Sequence, residues 1–81
     1  MFKHIILDGG YQIIATNENN RYIGEILIFL CANTWYLHQK LIKRIENLKD
    51  VDEFSRLAHD CVRICEELGV VITVRYNFDK L

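Results

Sequence analysis

The sequence predicts a small α+β fold, an antiparallel sheet of element order βββααβ with an antiparallel helix hairpin on one face. The alternative is ββααβ with one long first helix. Three features carry this prediction. Two β-rich runs near the N-terminus flank Asp8-Gly9-Gly10, a stretch of helical periodicity follows Thr34, and the chain closes on the β-branched and aromatic run VVITVRYNF.

Residues 3–7 form the first strand, and the glycines after Asp8 supply the positive φ that a tight hairpin turn needs. Residues 11–16 (YQIIAT) return as the second strand, and Asn17-Glu18-Asn19-Asn20 makes the next polar turn. Residues 21–30 read as a third strand, because Tyr22, Ile23, Ile26, Ile28 and Phe29 favour it and Gly24 disfavours an early helix turn. Read instead as one helix from Tyr22 to Leu48, the segment would be about 40 Å long, and its first half would be apolar all round.

From Thr34, an acceptable N-cap, Leu37, Leu41, Ile45 and Leu48 recur at helical spacing and predict a first helix over 35–48. Asp50 with Glu53 three residues on has the form of a capping box and opens a second helix. Phe54, Leu57, Ala58, Cys61, Ile64, Cys65 and Leu68 are its apolar stripe, and Gly69 ends it. Residues 70–78 are the last strand.

At 81 residues the chain reads as one domain, 1–81, able to bury only about 60–65% of its unfolded surface. It is nonetheless 51% hydrophobic with nine aromatic side chains. Both faces of the predicted strands are apolar, and two helices cover only one of them. The uncovered face predicts a homodimer, with Ile26, Ile28, Phe29, Trp35 and Tyr76 as interface residues.

Ten basic against eleven acidic side chains leave a net charge of −1, which gives no global electrostatic pull toward nucleic acid or an anionic membrane. The charge is unevenly placed: residues 35–49 carry a net +3 and residues 50–69 a net −4. A solvated helix face explains the basic cluster without any ligand, and Lys40, Lys43 or Arg44 can also pair with Asp60, Glu66 or Glu67 between the helices or between subunits, or meet an acidic protein. Another use is a phosphate-binding surface. Lys40, Lys43 and Arg44 share a predicted helix face, with His38 nearby and Arg75 in support, and the pattern suits an RNA backbone.

The N-terminus lacks the apolar core and cleavage site of a signal peptide, and the longest apolar run is too short to span a bilayer, so a cytoplasmic location without membrane contact is expected. Three cysteines at no scaffold spacing fit a reducing compartment. Cys61 and Cys65, at i and i+4, have the spacing for two thiolates on zinc, but both fall on the apolar stripe, where cysteine packs as a small hydrophobe. Cys31, inside the apolar run, is expected to be buried, and no cysteine has an adjacent activating base. No catalytic residue, metal set, cofactor motif or small-molecule substrate is evident, and no family motif is matched residue by residue. The sequence therefore predicts a non-enzymatic homodimeric inhibitor or regulator of another protein. An RNA-binding module is the alternative, and a metal-binding regulator a more distant one.

Overall fold

The computed structural model describes residues 1–42 and 47–78, which form β1 (Phe2–Leu7), β2 (Gly10–Thr16), β3 (Tyr22–Cys31), β4 (Thr34–Leu41), α1 (Leu48–Glu67) and β5 (Ile72–Phe78). The class is α+β, and the order among the described residues is ββββαβ. All five strands lie in one sheet in sequence order. β1 to β4 form an antiparallel meander, whereas β5 pairs parallel to β4, because α1 carries the chain back along the sheet before β5 begins.

The predicted helix over 35–48 is therefore a correction: its first part is strand β4, and α1 takes up only its last residue, Leu48. Neither the helix hairpin nor the long first helix is present among the described residues. The physical reason is an ambiguity of spacing. Residues four apart share a face in a helix and in a strand alike, so Leu37 and Leu41 fit both periods. The segment between Cys31 and Thr34 settles the matter. These two residues pair across the ladder, and the loop residues Ala32 and Asn33 stand at φ 49° and 63°, the doubly left-handed form of a type I′ hairpin turn. Asn33 and Thr34, which resemble a helix start, turn a hairpin instead. Ile45, with Lys43 and Arg44, lies outside the described residues.

Ala32 is poorly suited to its position, since an L side chain in the left-handed region crowds its own carbonyl. Ala32→Gly is expected to stabilise the fold by about 0.5–1 kcal/mol, the relieved strain exceeding the extra freedom glycine has in the unfolded chain. A denaturant midpoint that rises at unchanged slope is the expected reading; a fall would show that the turn does not hold this conformation.

The other turns follow their chemistry. Gly9 at φ 80° closes the β1–β2 hairpin. The Asn17 side chain accepts from the backbone N–H of Asn19 at 2.9 Å and of Arg21 at 3.0 Å, holding the β2–β3 turn, and Asn20 takes φ 60°. α1 starts three residues before the position that the capping-box pattern marks. Asn47 is the N-cap, accepting from Lys49 N–H at 3.0 Å, and Asp50 sits in the first turn, where its charge suits the helix dipole. At the far end Gly69, at φ 80°, donates to Glu66, and Val70 donates to Cys65, the paired bonds of a Schellman motif.

α1 lies on one face of the sheet. Phe54 and Ala58 pack onto Ile13 and Ala15 of β2, Ile23 and Ile26 of β3, and Leu37 of β4, with Leu57, Cys61 and Val62 around them. A bulge adjusts the register at the start of β3: Ala15 pairs with Gly24 but Thr16 pairs with Tyr22, leaving Ile23 as the extra residue. That extra residue sends Ile23 into the core and puts Tyr22 on the opposite face.

Candidate functional site

Strand alternation assigns the second face of the sheet directly. Across the ladders, Ile5, Gln12, Leu27, His38 and Arg75 form one row, and Leu7, Gly10, Phe29, Tyr36 and Thr73 the next. A third row runs through Lys3, Ile14, Glu25 and Lys40. Residues of one row share a face, and this face is opposite the one that carries Ile13, Ile26 and Leu37. α1 is spent on the other side, so nothing among the described residues covers it.

The centre of this open face is aromatic and aliphatic. The rings of Phe29 and Tyr36, on neighbouring strands, stack at 5.4 Å between centroids with 25° between planes. The Arg75 guanidinium lies 4.5 Å from the Tyr36 ring centroid, a cation–π contact that holds the arginine flat on the sheet. Leu27, Ile14 and Ile5 extend the apolar surface and are half-buried by their neighbours along the sheet.

Beside this patch sits a polar cluster around Glu25. Its carboxylate accepts from Gln12 Nε2 at 2.6 Å and from the Tyr22 hydroxyl at 2.8 Å. These hydrogen bonds, Tyr22 first and Gln12 second, hold the Glu25 carboxyl below the usual range; partial burial opposes them, and Lys40 and His38 add a smaller pull in the same direction. A depressed carboxyl stabilises the fold above its unfolded pKa of about 4.3 and loses that contribution as pH falls through the lower folded value. Acid titration of stability is thus expected to show a component below about pH 4.3 that vanishes in Glu25→Gln. Identical acid limbs in the two proteins would exclude it.

Of the residues predicted to contact RNA, His38, Lys40 and Arg75 fall on this face, brought together by strand pairing rather than by a helix. Lys43 and Arg44 lie outside the described residues. The expected pairing of Lys40 with the acidic helix is corrected, because Lys40 faces away from α1. The helix carboxylates pair within α1 instead: Asp52 with Arg56 at 3.0 Å and Glu67 with Arg63 at 2.9 Å, both exposed.

Of the predicted interface residues, only Phe29 lies on the open face. Ile26 is 0% exposed in the core, Ile28 and Trp35 are half-buried on the same side, and Tyr76 is exposed on that side at β5. Glu25, Leu27, Tyr36 and Gln12 belong to the face and escape a reading that places 35–48 in a helix. The signal that finds them is simple alternation: Phe29, Leu27 and Glu25 are two apart, as are Tyr36, His38 and Lys40.

Cys31 is exposed at the tip of the β3–β4 hairpin, a correction to its expected burial, since the apolar run ends in a turn there. Cys61 and Cys65 are half-buried on α1, and burial, with smaller effects of Cys65 and Asp60, pushes the Cys61 thiol up and keeps it protonated. Among the described residues no three His, Cys, Asp or Glu side chains gather as a metal site requires, and no helix is long and apolar enough to cross a membrane. Comparison of the chain with protein-family models, curated proteins and solved structures found no match, so the function is read from the chemistry of the face itself.

Proposed function

We propose that the protein is a small cytoplasmic, non-enzymatic binding protein that acts as a homodimeric inhibitor or regulator of another protein, and that the open sheet face is where two copies meet. The observation that supports this reading is the uncovered apolar centre of Leu27, Phe29 and Tyr36 within a five-stranded sheet. A second copy supplies the missing layer at the roughly 10 Å spacing of packed sheets. The flanking charges suit self-association. Glu25 lies between Lys3 and Lys40 in register, so a two-fold axis can set the carboxylate of one copy near an ammonium group of the other.

Light scattering at micromolar concentration is expected to give twice the monomer mass. Leu27→Asp with Phe29→Asp is expected to give a folded monomer, each truncated anchor costing association about 2 kcal/mol or more. A monomeric wild type would remove the dimer.

The RNA-binding alternative is favoured by a different observation: His38, Lys40 and Arg75 stand on the same face as the Phe29 and Tyr36 rings, a combination suited to stacking single-stranded bases. Arg75 already lies over Tyr36, and Glu25 repels phosphate, which places this reading second. It requires salt-sensitive retention on RNA that Lys40→Ala with Arg75→Ala abolishes. A pull-down from native lysate with and without nuclease separates the two readings.

A further inference from the structure

On the covered side of the sheet, α1 and the β4–β5 pair leave a cavity of about 310 Å³ between them. Leu41, Ala58, Val62 and Val74 form its apolar walls, and Gln39, Ser55 and His59 bring polar groups to it. The volume is at the small end of the range of ligand pockets, which are mostly apolar with a few placed polar groups.

Gln39 is the unusual member. It is 7% exposed and the one buried polar residue among those described, in a strand where Leu37 and Leu41 hold the neighbouring core positions. Its side chain forms no hydrogen bond among the described residues, and no polar atom there is sealed away without a partner. The carboxamide therefore opens into the cavity. A leucine would suit the alternation without setting an amide among core positions.

We propose that this cavity binds an uncharged planar heterocycle of nucleobase size, held edge-on by the Gln39 carboxamide. An amide offers a donor and an acceptor in one plane, and the matching edge is that of an amidine or lactam, as adenine or uracil carries. The apolar walls take the ring faces, and Ser55 and His59 stand where α1 meets the opening, within reach of a second polar edge. Among the described residues no carboxylate, ammonium or guanidinium group lines the cavity, so a charged ligand would lose its hydration without a partner there. The site lies across the sheet from the open face and does not depend on the proposed dimer.

The test is a titration of the full-length protein with adenine and with uracil, followed by amide NMR. Toluene, which lacks the polar edge, and benzoate, which is charged, serve as controls. Adenine or uracil is expected to shift the Gln39 side-chain amide and the backbone amides of Val62 and Val74, with the millimolar affinity of so small a ligand. Gln39→Leu is expected to weaken binding at least about tenfold while raising the melting temperature, a combination that a purely structural glutamine would not produce. Val62→Phe, which fills the cavity and leaves the amide in place, is expected to abolish the shifts. Absence of shifts with both heterocycles, equal shifts in Gln39→Leu, or toluene binding as well as adenine would each overturn the proposal.

Discussion

Phe54→Ala is expected to lower the unfolding free energy by about 3–5 kcal/mol, the largest effect of any single truncation on α1. Phe54 is fully buried and reaches from the first half of the helix into the centre of the sheet, against Ile13, Ile26 and Leu37. With one helix covering one face, no second layer can move in to fill the space it leaves, so most of the cavity persists. A domain of this size has roughly 4–12 kcal/mol to lose. Urea unfolding is expected to show a much lower midpoint at similar slope. Leu68→Ala is the control: it lies on the same predicted stripe but is 75% exposed, and its loss is expected to stay within about 0.5 kcal/mol. Equal effects at the two positions would contradict the placement of α1.

Gly24→Ala is expected to cost about 1–3 kcal/mol for a different reason. Gly24 is buried in β3 between Ala15 and Leu41, and a Cβ there would overlap the carbonyl oxygen of Lys40 and come within 3.1 Å of a Leu41 methyl. The backbone of β4 must then shift, because a carbonyl in a ladder cannot rotate aside as a long side chain can. Since β4 also carries His38 and Lys40, the shift is expected to reach the open face as amide chemical-shift changes from residues 38 to 41. A substitution costing less than about 0.5 kcal/mol would mean that β3 and β4 are less closely apposed than the structure places them.

These two residues also mark what is legible along the chain. Phe54 stands in a helical stripe with a glycine stop, and no strand pattern competes with it, so helix and core role follow from spacing. Gly24 reads as an argument against helix, which is correct, but its reason lies on β4 and cannot be seen from its own neighbours. The segment around Leu37 shows the limit most clearly: an interval of four fits a helical turn and two pleats of a strand, and the polar residues between do not choose.

What the sequence determined by itself was local: the Asp8-Gly9 and asparagine turns, the strands on either side of them, the helix that ends at Gly69, and an apolar content on both faces of the strands. These follow from backbone stereochemistry and side-chain period, which act over a few residues. Tertiary structure alone decided that 34–41 is a strand, because pairing with β3 and β5 satisfies its backbone hydrogen bonds and buries Leu37. That choice set Trp35 beside Ile26 and Ile28 on the side of the sheet that faces α1, and gathered Tyr36, His38, Lys40 and Arg75 beside Phe29 on the open one. It also turned the Gln39 amide toward the helix. The face of a side chain in a sheet depends on register with distant strands, and that register exists only once the chain has folded.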